Sequence, residues 1–192
     1  MQTNQQLELI AQQLLLEHPL EHSIVSDAQW IQGAFWGQPR PGHPEGMVLY
    51  HIQEVLENVH RCTQDPLLRH RLRLIALCHD TFKYQEEKQR PRQDWSKHHA
   101  VLARQFLERY TNDEAVLRVT ELHDEAYHVW QEWQMSRYFD AGRWQRFLTS
   151  LGQEHLQLFY LFFKCDTLTG DKILAPLHWF EAKVQGIQLI QW

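Results

Sequence analysis

The stretch that decides the fold is Pro66–Lys83, PLLRHRLRLIALCHDTFK. A proline at its head suits the first turn of a helix, where its missing N–H would have had no partner anyway. The apolar residues that follow keep a helical period, and the spacing predicts a helix from Pro66 to about Phe82. His79 stands four residues after Ile75 and three before Phe82, so it shares their apolar side, with Asp80 beside it. The basic run Arg69 to Arg73 reads as a solvated helix face.

The same period recurs on both sides. Leu7, Ile10, Ala11, Leu14 and Leu15 make one stripe and predict a helix over 4–17. Residues 33–46 are rich in Gly and Pro and mark a loop. Val48, Ile52, Val55, Leu56 and Val59 predict a helix from Met47 to Cys62. The charged stretch Tyr84 to Asp94 reads as an exposed loop, and Ser96 as the N-cap of a helix through Tyr110. Thr111 to Glu114 matches a capping box and opens a helix carrying Val116, Val119 and Leu122. Tyr127 to Trp144 reads as helix plus loop, 153–168 as a strongly apolar helix ended near Gly170, and Ile173 to Ile190 as a last helix. No alternating strand pattern, repeat, linker or low-complexity tract interrupts this order. The expectation is one all-α domain over 1–192, a helical bundle.

Composition narrows the function. With 43% hydrophobic and 22% charged residues, the 192-residue chain can bury a core. Its net charge of -5 argues against stable nucleic-acid binding, which needs clustered positive charge. The longest apolar run, Leu156 to Phe163, is too short to span a membrane, and Met1–Asn4 lacks the basic start of a signal peptide. A cytoplasmic location is expected. Three cysteines without a CxxC pair fit neither a disulfide framework nor a zinc ribbon. The sequence contains no phosphate-binding glycine loop, nucleophile elbow or HExxH helix.

The unusual feature is 13 histidines. His51 shares a face with Val48 and Val55, His99 with Ala103 and Phe106, and His123 with Val119. Asp166 follows Phe162 by four residues inside the most apolar helix. One inward histidine is ordinarily a hydrogen-bonded core residue. A buried carboxylate without a counter-charge costs several kcal/mol, roughly the desolvation of an ion. Four inward histidines and two aspartates on five helices, with no matching inward Lys or Arg in those helices, call for a metal. His60, His70, His128, His155 and His178 read as surface or packing residues. Trp30, Trp36, Trp130, Trp133 and Trp144 read as core or interface packing rather than as the wall of a substrate pocket.

In this order, His51, then His79-Asp80, then Asp166 resembles the H…HD…D pattern of the HD-domain superfamily of metal-dependent phosphohydrolases. His43 to His51 resembles the family's approach to its first histidine, and His79-Asp80-Thr81-Phe82-Lys83 its HDxxK signature. His99 with Ala103 resembles the HxxxG/A step, and His123 the histidine of the following helix. The neighbouring His98 leaves a one-residue ambiguity, in which the small Ala103 favours His99. Thr81-Phe82 replaces the commoner small pair, and His123-Asp124-Glu125 lacks the glycine-rich sequence of the cyclic-dinucleotide branch. The resemblance covers about residues 43–170, with flanking helices at both ends.

The resemblance implies roles. His51, His79, Asp80 and Asp166 would hold one metal, and His99 and His123 a second, with Asp80 bridging. Imidazole and carboxylate donors without thiolate suit Fe, Mn, Co, Ni or Zn. Asp80 and Lys83 would be the catalytic residues, Lys83 also holding a substrate phosphate. The implied activity is cleavage of a phosphoester or phosphoanhydride of a nucleotide or similar small metabolite by metal-activated hydroxide. Two other readings use the same residues: a mixed-valent di-iron oxygenase, and a non-catalytic ligand-binding relative. A homo-oligomer is compatible with each.

Overall fold

A computed structural model describes residues 2–41, 44–87 and 94–192. Among these are eleven α-helices and no strand: α1 (Gln2–Leu14), α2 (Pro19–Val25), α3 (Ala28–Ala34), α4 (Val48–Cys62), α5 (Pro66–Cys78), α6 (His99–Leu107), α7 (Glu114–Leu122), α8 (Glu125–Ser136), α9 (Ala141–Leu151), α10 (Leu156–Thr167) and α11 (Ala175–Lys183). Short 3-10 helices at Trp95–Lys97 and Gln153–His155 precede α6 and α10. Among the described residues no helix is long and apolar enough to cross a membrane.

Helix α5 is the axis of the fold. It packs against α4, α7 and α10, and every residue from Leu72 to Cys78 is buried. Its start is set chemically: the Asp65 carboxylate accepts from the Leu68 backbone N–H at 2.7 Å, and Pro66 follows. Val48, Ile52, Val55, Leu56 and Val59 of α4 are buried against it, as their spacing predicts. Between α4 and α10, the Asn58 amide donates to the carbonyls of Cys165 (2.9 Å) and Leu168 (3.0 Å), fixing the register of the two helices.

Local chemistry moves several expected boundaries. The cap of α6 is His98, not Ser96: its Nδ1 accepts from the Ala100 N–H at 3.3 Å, and Ser96 lies in the preceding 3-10 turn. The cap of α7 is Asp113, which accepts from the Ala115 N–H, while the Thr111 hydroxyl receives the Asp113 N–H. The polar aromatic stretch is two helices, α8 and α9, separated at Arg137, whose φ of 58° ends α8. Helix α11 stops at Lys183, well short of Ile190. The seven-residue helices α2 and α3 are too short to show a period, and the sequence reading has no elements there. His43, the first residue of the expected approach to His51, and Lys88–Gln93 of the expected loop lie outside the described residues.

Helix α3 seats the turn after α5. A Cβ at Gly33 would stand 1.8 Å from the Thr81 carbonyl oxygen, so only glycine lets α3 approach that turn. The Trp30 indole of the same helix is fully buried and donates to the Leu77 carbonyl at 2.7 Å. Residues 79–83 are thus held from both sides, by α5 and by α3.

Candidate metal centre

The helix ends bring the predicted residues together. His51 projects from the first half of α4, His79 closes α5, Asp80 follows it, and Asp166 lies near the end of α10. His51 Nε2 is 2.9 Å from Asp166 Oδ1 and 3.2 Å from His79 Nε2. His51 and His79 each stand 3.7 Å from Asp80 Oδ2, and His79 is 3.6 Å from Asp166 Oδ1. The other oxygen, Asp80 Oδ1, faces His99 Nε2 at 3.6 Å and His123 Nε2 at 3.5 Å. One carboxylate thus turns an oxygen toward each pair of histidines, across four helices.

All four histidines aim the same ring nitrogen inward because the other is anchored. His79 Nδ1 lies 3.0 Å from the Ala76 carbonyl and His123 Nδ1 2.9 Å from the Thr120 carbonyl. A carbonyl only accepts, so both Nδ1 atoms carry the proton and both Nε2 atoms keep a lone pair. His99 Nδ1 is 3.1 Å from Glu86 Oε2, which fixes the same tautomer. His51 Nδ1 lies 3.6 Å from Glu45 Oε1 and 3.5 Å from the Thr169 hydroxyl. Metal-ligating histidines are oriented in this way, by an outer carbonyl or carboxylate on the nitrogen that faces away.

The donor set fits a transition metal. His99 Nε2 is buried with no hydrogen-bond partner, a condition that burial makes costly unless something else occupies its lone pair. Two nitrogens each about 2.1 Å from one ion lie about 3 Å apart at adjacent coordination positions. The 3.2 Å between His51 and His79 Nε2 matches that spacing. His51-His79-Asp80 and Asp80-His99-His123 are each close enough to share an ion.

Electrostatics favour the metal-accepting forms of His51, His99, Asp80 and Asp166, with His123 the exception. Burial pushes His51 down to about 4 and lowers His99, so both imidazoles are neutral at pH 7. Burial opposes charge on Asp80 and Asp166 too. For Asp80 the Lys83 ammonium and the His79 ring outweigh it, and for Asp166 Lys172 and His51 do, leaving both well below the usual carboxylate range. Burial lowers His123, but Asp124 and Asp80 outweigh it and hold its pKa up.

Lys83, expected to hold a substrate phosphate, lies with Nζ 2.5 Å from Asp80 Oδ2. The expectation of no inward Lys or Arg in the site-bearing helices needs correction at Arg73 of α5. Lys83 and Lys172 approach the aspartates from turns beyond α5 and α10, and Arg73, assigned to a solvated face, is buried and paired with Glu21. The His98–His99 ambiguity resolves by role: His99 faces Asp80, while His98 caps α6 and turns Nε2 toward Asp124 Oδ2 at 3.5 Å. Glu86, Asp124 and Lys172 had no pattern to reveal them, since each joins the site from a turn. His128, read as a surface or packing residue, stands half-exposed with Nε2 3.8 Å from Asp124. A cavity of about 590 Å³ opens onto the centre, with Lys83, Lys172 and Asp124 near the donors and Tyr127, Phe163 and Ile173 as a less polar wall.

Residues 48–138 match the family model of the HD domain. The match takes in His51, His79, Asp80, Lys83, His99 and His123 and ends before Asp166. No curated protein and no solved structure matches the chain.

Proposed function

Because the chain belongs to the HD-domain superfamily, we propose that it is a metal-dependent phosphohydrolase formed by residues 1–192 as one domain. The substrate is a phosphoester or phosphoanhydride of a nucleotide or similar small metabolite. The observation that carries this reading is the convergence of four anchored imidazoles on Asp80 and Asp166, with the His99 lone pair unmatched. His51, His79, Asp80 and Asp166 would hold one ion of Fe, Mn, Co, Ni or Zn, and Asp80, His99 and His123 a second. Such ions supply Lewis-acid charge to a phosphoryl group and lower the pKa of water.

The chain's own groups do the rest. Asp80 would offer one oxygen to each position. Glu86, Ala76 and Thr120 keep the histidine rings from turning. Lys83, a compact ammonium on a flexible stem, offers its charge to a phosphate at the cavity. Tyr127 and Phe163 give a planar group such as a nucleobase a surface to lie against.

The test is elemental analysis of the purified protein followed by a phosphatase and phosphodiesterase panel with each metal. The expected outcome is about two ions per chain, falling toward one in His123→Ala and further in Asp80→Ala, with hydrolysis tracking the metal content. A wild type that carries no transition metal, or that consumes oxygen with iron and hydrolyses nothing, overturns the reading.

A further inference from the structure

Each aspartate of the centre carries an ammonium from a neighbouring turn, but only Lys83 belongs to the motif. Lys172 lies six residues beyond Asp166, and its Nζ donates to Asp166 Oδ1 at 2.9 Å and to the Asp166 carbonyl at 3.1 Å. The turn that carries it is pinned. The Thr169 hydroxyl donates to the Asp166 carbonyl at 2.7 Å, the Lys172 N–H reaches the Thr169 carbonyl, and the Gly170 N–H donates to Glu54 of α4 at 2.7 Å. Gly170 has φ +54°, and a Cβ there would stand 3.1 Å from Pro44 Cδ. The backbone of Lys172 is therefore fixed at the cavity rim while its long stem leaves Nζ free to change acceptors.

Charge says which acceptor comes next. The cavity is lined by the carboxylates of Asp80, Asp124, Asp166 and Asp171 and by the ammoniums of Lys83 and Lys172. That balance repels an anion. An ion held by Asp166 would compete with Lys172 for that carboxylate and repel its ammonium. With two divalent ions present, positive charge in the cavity exceeds the carboxylates by two. A phosphomonoester carries about -1.5 to -2 at pH 7, which this surplus matches; a diester carries only one negative charge.

We propose that Lys172 is a second phosphate-holding residue, which pairs with Asp166 in the metal-free chain and with substrate in the loaded one. Together with Lys83 it selects phosphomonoester dianions over diesters. The proposal rests on the phosphohydrolase reading of the site.

The experiment uses the full chain loaded with Mn2+, Co2+ or Fe2+, as wild type, Lys172→Met, Lys172→Gln and Lys172→Arg, with folding checked by circular dichroism. Metal content is measured first, and then the binding of inorganic phosphate by calorimetry. Both neutral variants should keep their metal and bind phosphate about tenfold more weakly, a loss of one charged contact. Lys172→Arg should stay near wild type. The kcat/KM ratio for p-nitrophenyl phosphate over bis(p-nitrophenyl) phosphate should fall in the neutral variants. Unchanged phosphate binding in both neutral variants overturns the Lys172 proposal and leaves the hydrolase reading standing. Lost metal in those variants also overturns it, making Lys172 a prop for Asp166. A wild type that loads none of Fe, Mn, Co, Ni or Zn overturns the hydrolase reading itself, and this one with it.

Discussion

Among the described residues two ionic clusters are buried, one where α2 meets α5 and one at the candidate metal centre. In the first, Glu21 is 0% exposed and Arg73 2%. Arg73 Nε and Nη2 reach the two oxygens of Glu21 at 2.8 Å each, Nη2 also meets the Leu15 carbonyl, and Nη1 stands 3.2 Å from Glu17. Glu21 accepts in addition from the Glu17 N–H at 2.9 Å. Every charge there is answered inside the chain. At the candidate metal centre the imidazoles and Asp80 are nearly as buried and Asp166 is partly exposed, yet the ring nitrogens point at one another and at acceptors, and His99 Nε2 has no hydrogen-bond partner. A structural cluster closes its own hydrogen bonds; the candidate metal centre leaves the His99 Nε2 lone pair facing inward without one.

Removing half of the closed cluster should have the largest effect. Arg73→Met strands the Glu21 carboxylate among apolar groups, and losing one partner of a buried pair costs about 3–5 kcal/mol. Urea unfolding should show that loss, while the folded fraction should still bind metal like the wild type. A cost below about 1 kcal/mol would show that water already reaches Glu21 and that the cluster is not closed.

The open cluster should respond to metal instead. Metal binding only the folded chain stabilises it by about 2.7 kcal/mol at a hundredfold excess over Kd. That gain should appear in wild type and in Arg73→Met alike and vanish in Asp80→Ala, where both positions lose an oxygen. A melting temperature raised equally by metal in Asp80→Ala would place the binding elsewhere.

The same contrast explains what was legible in the sequence. His51, His79, His99, His123 and Asp166 sit on helix faces whose apolar neighbours announce the register, so their convergence could be anticipated. Arg73 could not, because α5 is buried on all sides from Leu72 to Cys78 and an amphipathic reading assumes one solvated face. Its partner Glu21 lies in a helix of seven residues, less than two full turns with a readable period. Glu86, Asp124 and Lys172 enter from turns, where position follows from tertiary packing and no period exists. Helix caps failed for a related reason: Ser96 and Thr111 are good capping residues, but His98 and Asp113 are nearer the places where packing starts α6 and α7.

Neighbouring histidines sharpen the comparison on a smaller scale. His98 closes a bond to the Ala100 N–H, whereas His99 leaves Nε2 open. His98→Ala should cost about 1 kcal/mol, the usual value of an N-cap, and keep the metal content of wild type. His99→Ala should lower bound metal toward one per chain. If His98→Ala loses metal and His99→Ala does not, the two roles are exchanged.

The smallest effect belongs to a third cluster, closed but half-exposed. Asp27 caps α3 by accepting from the Gln29 N–H at 2.8 Å, and it also accepts from the Tyr110 hydroxyl at 2.9 Å and Arg109 Nη2 at 3.1 Å. Burial, then the bond to the Asp27 carboxylate, pushes Tyr110 up to about 12. An unfolded tyrosine titrates near about 10, so between these values the unfolded chain holds fewer protons than the folded one. The contribution to stability is therefore complete below about pH 10 and is lost as pH rises toward about 12. Solvent screening at this partly exposed site keeps it small. Asp27→Asn keeps a capping side chain but removes the charge, and ultraviolet titration should then find Tyr110 nearer its ordinary value, with Tyr110→Phe identifying its signal. The fall in the urea midpoint between pH 10 and 12 should shrink in step, in wild type and metal-loaded protein alike. A midpoint that follows metal content over this range would mean that the closed clusters are coupled to the open one.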